Sequence, residues 1–344
     1  MSETFDPRTT PWSIDASDFY DLDSFSEQMK FVLRYAVLAP STHNTQPWSF
    51  RVTRTGVDVF ADSSRRMPVV DPKDREHFMS VGAAIMNFRI AAAHFGFETE
   101  VLYESRPEES WPVATIFVRE TCAPDKHLDE LFTSIRKRHT NRRSFDGEII
   151  DPDVLSRVCD VMDEYPDNFR AIMPHEKERV AELIEYAEQQ QLARPAWRDE
   201  AAQWMHPNSG YSDGICTDGL GLPQPISSAA PWLMRHALMT GPQSRRDRDL
   251  AAGASALIVV TANDNRIELI QAGEALERML LMITKVGLQY SFLNQPIEMD
   301  SLRDRIQTVI GTRVPAQLLI RVGYAPAVEK AMPRRPVESV VQNG

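Results

Sequence analysis

A short polar run between two prolines contains residue types that could do chemistry. Residues 41–46 read Ser-Thr-His-Asn-Thr-Gln between Pro40 and Pro47, and Trp48 follows directly. Such a run is ordinarily a solvated turn, but a proline on each side and a tryptophan next to it favour a pre-organised loop. A loop of this kind could hydrogen-bond the heteroatom edge of a flat ring with its side chains and backbone N–H groups.

A basic segment near residue 140 could bind phosphate. Residues 136–145 read Arg-Lys-Arg-His-Thr-Asn-Arg-Arg-Ser-Phe, in which Arg138, Thr140 and Arg142 supply two forked guanidinium groups and a hydroxyl. Alone, the run is typical of a solvated face or of a nucleic-acid contact. The formal net charge of −11 disfavours nucleic acid, because a phosphate backbone requires a basic field.

The elements around the polar run can be predicted from caps and alternation. Ser24 and Glu27 have the spacing of a capping box and begin a helix that Pro40 ends. Residues 48–52 and 57–60 then read as two strands joined by a turn. The polar run therefore lies between the end of a helix and the start of a hairpin.

The chain resembles itself at a shift of 191 residues. This shift places Gly82 on Gly273 and Gly96 on Gly287, each pair within an apolar helical stretch. Strand-like runs precede and follow both helices, at 57–60 and 114–118 in the first copy and at 256–260 and 317–322 in the second; these are predicted strands. Any two α/β segments could share such a pattern, but glycines at identical spacing favour a true repeat.

These patterns predict an α+β fold in which two related α/β halves of one chain form a pseudo-dimer. We expect residues 1–125 to form the first half and residues 126–344 the second. Turn-forming residues from about 193 to 225 interrupt the second half, as expected of a lid or a plain surface loop. The Glu and Gln residues at 185–191 read as solvated helix surface.

Composition excludes several classes. Three separated cysteines indicate neither a disulfide framework nor a zinc knuckle, and the polar, acidic N-terminus has no apolar signal region. No run approaches the roughly 20 apolar residues that span a bilayer. We therefore expect a soluble cytoplasmic protein with no membrane or nucleic-acid partner. Gly219-Leu220-Gly221 lacks the third glycine of a dinucleotide fingerprint, and no metal site is expected.

The two candidate motifs resemble one family. Residues 39–48 match the Ala-Pro-Ser-x-x-Asn-x-Gln-Pro-Trp motif of the nitroreductase-like flavoproteins, and residues 138–142 are similar to that family's Arg-Arg-Ser-x-Arg segment. The tail at 332–336, Met-Pro-Arg-Arg-Pro, is similar to the basic tail that closes over the flavin phosphate there. The insertion and the tandem halves resemble the Acg subfamily. The resemblance covers roughly residues 25–340.

The resemblance implies a set of residues that bind flavin mononucleotide (FMN). They are Ser41, Thr42, His43, Asn44 and Gln46 at the ring, Arg138, Thr140, Arg142, Arg334 and Arg335 at the phosphate, and Ser291, Leu293 and Asn294 near the reactive nitrogen. The chain departs from the family pattern at His139, which replaces an Arg, and by one extra residue before Phe145. Asn294 and Gln295 stand where relatives often carry Gly.

The implied activity is that of an FMN-dependent oxidoreductase of nitroreductase type. NAD(P)H would supply the reducing equivalents, an electron-poor nitroaromatic or quinone would accept them, and no side-chain nucleophile is expected. In the family, the ring loop and the arginine segments come from different subunits of a homodimer, so a tandem fusion with one copy of each would build one site.

Several alternatives stay open at this point. The protein could instead bind or sequester flavin beneath a lid with little turnover. A monomer would suffice for the site, and a dimer remains compatible with the sequence. Within the insertion, His206, Asn208, Tyr211 and Asp213 could touch a substrate.

Overall fold

The computed structural model describes residues 6–105, 110–166, 169–207, 210–217, 226–236 and 240–342. Among these residues, no helix has both the length and the apolar character needed to cross a membrane. Short 3-10 helices occur at Thr10–Trp12, Ala16–Asp21, Thr42–Asn44, Ser63–Arg65, Asp160–Glu164 and Val337–Ser339.

The amino-terminal part contains one four-stranded sheet. Its helices and strands are α1 (Phe25–Ala36), β1 (Trp48–Val52), β2 (Gly56–Ala61), α2 (Arg75–His94), β3 (Phe97–Tyr103) and β4 (Ala114–Glu120). The strand order is β1-β2-β4-β3, and every neighbouring pair is antiparallel. The capping box is formed, because the Ser24 hydroxyl accepts a hydrogen bond from the backbone N–H of Glu27 and donates one to its carboxylate.

The carboxy-terminal part repeats this plan around a second sheet. Its elements are α3 (Lys126–Asp129), α4 (Phe132–Ile135), α5 (Pro152–Cys159), β5 (Arg170–Ile172), α6 (Lys177–Ala193), α7 (Pro195–Gln203), β6 (Met205–His206), β7 (Ile215–Cys216), α8 (Ile226–Arg235), α9 (Thr240–Ala252), β8 (Ala256–Thr261), α10 (Arg266–Lys285), β9 (Gln289–Phe292), α11 (Asp300–Ile310) and β10 (Ala316–Gly323).

The two sheets have equivalent topology. The second sheet has the order β5-β8-β10-β9, so β5 corresponds to β1, β8 to β2, β9 to β3 and β10 to β4. Along the chain, the long helix α2 lies between β2 and β3, and α10 lies at the equivalent place between β8 and β9. The expected pair of related α/β halves is therefore confirmed. The extra helices α6 to α9 all lie between β5 and β8.

The paired glycines found in the sequence mark the closest approach of α2 and α10. A Cβ atom on Gly82 would lie 1.9 Å from the backbone oxygen of Ile270, and one on Gly273 would lie 2.0 Å from that of Met79. Both distances are far below van der Waals contact, so only glycine permits the helices to cross here. The contact is reciprocal: each helix presents its glycine to the backbone of the other.

The cores of the halves interlock across this crossing. Ile270 and Leu281 of α10 belong to the hydrophobic cluster of the first half, and Met79 of α2 belongs to the cluster of the second. The short helices α3 and α4, which the expected boundary at 125 assigns to the second half, also pack into the first cluster. The C-terminal tail returns to the first sheet, where Phe50 of β1 pairs with Val341.

Candidate functional site

One cavity receives both of the motifs identified in the sequence. Its volume is about 350 Å³, and its walls come from both halves of the chain. The expected site residues that line it are Ser41, Thr42, His43, Asn44, Arg138, Thr140, Arg142, Ser291, Leu293, Asn294 and Arg334. The structure thus brings together segments that are almost 300 residues apart, using the α2–α10 crossing as the scaffold.

The polar loop between the prolines has an unusual backbone. His43, Asn44 and Gln46 have φ angles of 48°, 57° and 52°, in the left-handed region that residues other than glycine rarely adopt. Each such residue costs roughly 1–3 kcal/mol unless its surroundings fix it. The loop is fixed from within, because the Ser41 hydroxyl accepts a hydrogen bond of 2.9 Å from the backbone N–H of Gln46.

Asn44 fastens this loop to two distant segments. Its side-chain amide donates to the carbonyl oxygens of Gly214 at 2.9 Å and Pro333 at 3.0 Å, and its amide oxygen accepts from Arg334 at 2.8 Å. Asn44 is 7% exposed. Its amide therefore holds the insertion and the tail against the loop, in addition to lining the cavity.

Two expected ligands do not line the cavity. Gln46 is buried, and its amide donates to the carbonyl of Ser212 at 2.9 Å. The backbone N–H of Arg335 donates to Gln46 Oε1 at 2.8 Å, and the Arg335 side chain reaches the carbonyls of Gln46 and Ser339. Because these polar groups already have protein partners, both residues brace the loop and stand outside the site.

Arg138 and Arg334 form the first of two arginine pairs in the cavity wall. Their guanidinium groups donate to one shared acceptor, the carbonyl of Leu38, at 2.9 and 3.1 Å. Arg138 is 1% exposed; its Nε lies 3.2 Å from Glu277 Oε1, and it also donates to the Tyr290 hydroxyl. Burial and then the charge of Arg138 lower the pKa of Arg334 to about 9. Two cations are thus crowded at one point.

The counter-charge for this first pair is incomplete. Glu277 has no exposed surface, and burial raises its pKa to about 7 even though Arg138 and Arg334 act to lower it. Near neutral pH the carboxyl group is therefore protonated for part of the time. The first pair then carries a surplus of positive charge that faces the cavity.

Arg142 and Arg321 form the second pair. The sequence did not predict Arg321 as a site residue, because it lies within an apolar strand. Arg321 on β10 is fully buried, packs 4.0 Å above the ring of Phe145, and donates to the carbonyls of Asn141 at 3.0 Å and Arg143 at 2.8 Å. These two bonds fix the loop that carries Arg142. Burial lowers the pKa of Arg321 to about 10.

The second pair contains donors without protein partners. Among the described residues, Arg142 Nη1 and Arg321 Nε and Nη1 are buried and make no hydrogen bond. Buried charged donors left unpaired are costly, so the arrangement fits a ligand that brings anionic oxygens. A phosphate monoester supplies three such oxygens. The donor set therefore fits the phosphate of FMN, with Arg321 in place of the expected Arg335.

A buried acid, Glu76, connects the polar loop at 41–46 with the loop that follows β9. Glu76, at the start of α2, accepts a hydrogen bond from the Thr42 hydroxyl at 2.6 Å and one from the amide of Asn294 at 3.2 Å. Burial, followed by the charge of Asp71, raises its pKa to about 7. Glu76 lines the cavity and can hold a proton there near neutral pH. No sequence pattern marks Glu76, since a single Glu in the first turn of a helix is ordinary.

The segment between β5 and β8 contains the expected interruption at 193–225 together with helices α6 to α9, and we call it the insertion. It supplies one wall of the cavity. Its lining residues are Glu188, Gln191, Leu192, Trp197, Ala201, Met205, Ile215, Met234, Arg246, Asp247 and Leu250. The expectation that residues 185–191 form solvated surface is wrong for Glu188 and Gln191, which are 6% and 1% exposed. These two side chains line the polar cavity and are not on the solvent-exposed face of the helix.

The other polar residues of the insertion have a bracing role. His206 stacks on Tyr211 with ring centroids 3.9 Å apart, and Asp213 pairs with Arg65 at 2.8 Å. Arg65 also donates to the carbonyl of Thr45. None of His206, Tyr211 and Asp213 lines the cavity. Asn208 and the Gly219-Leu220-Gly221 run lie outside the described residues.

Comparison with curated proteins identifies relatives over nearly the whole chain, although no family model matches it. A Mycobacterium tuberculosis protein provisionally named an NAD(P)H nitroreductase is 28% identical over 330 residues, 92% of either chain. The M. tuberculosis Acg protein, provisionally named in the same way, is 26% identical and covers 92% of this chain and 95% of its own. Another relative from that organism, 25% identical with 91% and 92% covered, bears a name that assigns no activity.

Solved structures offer weaker likenesses. A nitroreductase-named structure from Anabaena variabilis has a TM-score of 0.47 and 11% identity, covering 91% of this chain and 92% of its own. The FMN-dependent nitroreductase NfnB of Mycobacterium smegmatis, solved with NADPH, has a TM-score of 0.42 and 14% identity, covering 62% of this chain and 98% of its own. Over nearly its whole length the chain is therefore similar in sequence to proteins that carry provisional nitroreductase names, Acg among them.

Proposed function

We propose that this chain is an FMN-dependent oxidoreductase that takes reducing equivalents from NAD(P)H and passes them to an electron-poor small molecule, such as a nitroaromatic compound or a quinone. One observation carries the proposal. The loop at 41–44 and the guanidinium groups of Arg138 and Arg142 line one cavity, although they come from different halves of the chain. The names of the curated relatives support the same activity.

The chain's own residues would bind and orient the cofactor. FMN, when bound, would supply hydride transfer, which no side chain here can perform. The two arginine pairs would neutralise its phosphate. The strained loop would present its polar side chains, among them the Ser41 hydroxyl, to the edge of the ring. Glu76, with its hydrogen bond from Thr42, would hold a proton beside that edge, and the insertion would exclude bulk water.

The proposal is tested by the flavin content of the purified protein. We expect about one FMN per chain, measured from the visible spectrum and after release by heat. Arg138→Ala should lose a charge-assisted contact worth roughly 1.5–3 kcal/mol, so FMN binding should weaken about 10- to 150-fold. Arg313→Ala, at an exposed position away from the cavity, is the matched control and should retain its flavin. Equal flavin content in the two variants would contradict the site.

A second candidate is a protein that sequesters flavin with little turnover. The wall that α6, α7 and α9 place over the cavity favours it, because a covered ring would not admit a nicotinamide. The two candidates differ in one measurement. Rapid NAD(P)H oxidation with a nitro or quinone acceptor supports the oxidoreductase. A flavin that dithionite reduces and NAD(P)H does not supports sequestration.

A further inference from the structure

Two glutamine residues in the cavity wall have side-chain oxygens with no hydrogen-bond partner among the described residues. Gln191 belongs to α6 of the insertion, and Gln295 lies in the loop that follows β9. Both line the cavity. Among the described residues, Gln191 Oε1 and Gln295 Oε1 are buried atoms without a hydrogen bond. An unpaired buried amide oxygen is destabilising, so two in one cavity indicate a recognition function.

The orientation of the Gln191 amide is fixed by a backbone neighbour. Its nitrogen donates to the carbonyl of Gln295 at 3.3 Å and to Glu298 Oε2 at 2.6 Å. A carbonyl only accepts hydrogen bonds, so the nitrogen must face it. The Gln191 oxygen is thereby left on the side without a protein partner among the described residues, and Gln191 is 1% exposed. The Gln295 amide nitrogen donates to Asp247 Oδ2 at 2.7 Å.

A third group completes the pattern. The indole N–H of Trp197, on α7, is also buried without a partner among the described residues, and Trp197 lines the same cavity. The wall thus offers two acceptors and one donor. A primary carboxamide matches this set, because its NH₂ donates twice and its carbonyl accepts. A carboxylate is a poor match, because it has no N–H to donate to the two amide oxygens.

We propose that Gln191, Gln295 and Trp197 form a subsite for the primary carboxamide of an aromatic ligand. This inference rests on the proposed function and deepens it. The carboxamide could belong to the nicotinamide of the reductant or to an amide-bearing acceptor. Both sources share a primary carboxamide attached to an aromatic ring. The two N–H groups of that carboxamide would donate to Gln191 Oε1 and Gln295 Oε1. An ester of the same shape keeps the carbonyl but loses both donors.

The test compares matched amide and ester probes on the oxidised protein as purified. One arm uses nicotinamide and methyl nicotinate; the other uses 4-nitrobenzamide and methyl 4-nitrobenzoate. Dissociation constants are measured by calorimetry. We expect the amide to bind about tenfold more tightly than its ester in at least one arm, and that arm identifies the source of the carboxamide. Equal binding of amide and ester in both arms, or no binding of any probe, would overturn the subsite.

Variants locate the preference. Gln191→Met keeps the side-chain volume and removes the amide oxygen, so the preference should fall to about twofold or less. Gln189→Met, on the exposed face of the same helix, should keep it. A preference that survives both Gln191→Met and Gln295→Met would assign recognition elsewhere and overturn the inference. The FMN content of the same samples is measured separately. Loss of the amide preference with normal FMN content concerns only the subsite, whereas absence of FMN contradicts the proposed function.

Discussion

Charged side chains in this protein lie where water cannot screen them. Arg138 and Arg321 are 1% and 0% exposed, and the guanidinium group of each donates hydrogen bonds to backbone carbonyls. A buried cation that bonds to carbonyls keeps its charge, since carbonyls do not neutralise it. Burial lowers the pKa of Arg321 and of Arg334, and the charge of a neighbouring arginine adds to the effect in each pair. An anionic ligand would offset this buried charge.

Arg321 should both bind the phosphate and position the segment that carries Arg142. Arg321→Lys keeps the positive charge, but an ammonium group cannot span the carbonyls of Asn141 and Arg143 as a planar fork does. We expect FMN affinity to fall roughly tenfold, measured by fluorescence titration of the flavin-free protein. Arg313→Lys, at an exposed position, is the control and should leave the affinity unchanged. An unaltered affinity in Arg321→Lys would remove this role.

Glu76 should make stability depend on pH. Its pKa rises from 4.5 to about 7 in the folded protein, so the folded state holds the proton more tightly than the unfolded chain does. The stabilisation that Glu76 contributes therefore falls as the pH rises from about 4.5 to 7, and Glu76→Gln removes this contribution to the pH dependence.

The measurement is the free energy of unfolding of both proteins in urea at several pH values. The variant minus wild-type difference should increase by up to about 3 kcal/mol between pH 4 and pH 8, because each unit of pKa shift corresponds to about 1.4 kcal/mol. A difference that stays constant over this range would contradict the raised pKa.

The sequence predicted the loop and the first arginines because their residue types and order are distinctive. It could not predict Arg321, Glu76 or Gln191, because each stands in a pattern that is ordinary for its element. Arg321 lies in a strand of apolar residues, and Gln191 follows a polar stretch of helix. Whether such a residue faces water or a cavity depends on what packs against it, and that depends on tertiary structure.

At the scale of elements, a crossing of two helices organises the molecule. The sequence revealed the glycines at 82 and 273 as a repeat, and the structure gives their reason: each removes a Cβ that would collide with the opposite helix. Helices usually pack with their axes 8–10 Å apart, and small residues permit a closer approach. The crossing brings the two halves of the site together.

Replacing either glycine should force the helices apart. We expect Gly82→Ala and Gly273→Ala each to lower the free energy of unfolding by about 3 kcal/mol, because the methyl group meets backbone rather than a movable side chain. Gly253→Ala is the control; its added carbon would lie 3.1 Å from Asp249 O, so the loss should be much smaller. Urea unfolding measures all three. Losses of equal size in the three variants would contradict the crossing as the cause.

The insertion shows where sequence patterns mislead. Residues 193–225 were expected to be irregular, yet Pro195–Gln203 is the helix α7. Proline at the first helical position is favoured, since its missing N–H would have no partner there and its φ is already helical. The residue that suggests a turn is here the start of a helix. The interruption also begins earlier than expected, because α6 lies between β5 and β8.

At the scale of the whole molecule, the halves are joined too closely to act alone. Residues of α10 complete the first core, Met79 completes the second, and the tail pairs with β1. The division at 125/126 remains a proposal about sequence repeats. Physically, neither half buries its apolar surface without the other.

Unfolding should therefore be a single cooperative event. Far-ultraviolet circular dichroism and tryptophan fluorescence should give coincident urea transitions, because the loss of either core exposes the other. Two separated transitions would contradict the interlocked arrangement. The measurement is informative on the flavin-free protein, where no ligand links the halves.

The reciprocal glycine contact has a consequence for how this molecule can change. Two identical subunits that met at such a point would receive every substitution twice, once on each side of the axis. Here the two sides are encoded separately, so Gly82 and Gly273 can be altered one at a time, and so can the walls that flank them. Covalent linkage thus releases the molecule from its own symmetry, and one face can acquire arginines while its counterpart acquires something else.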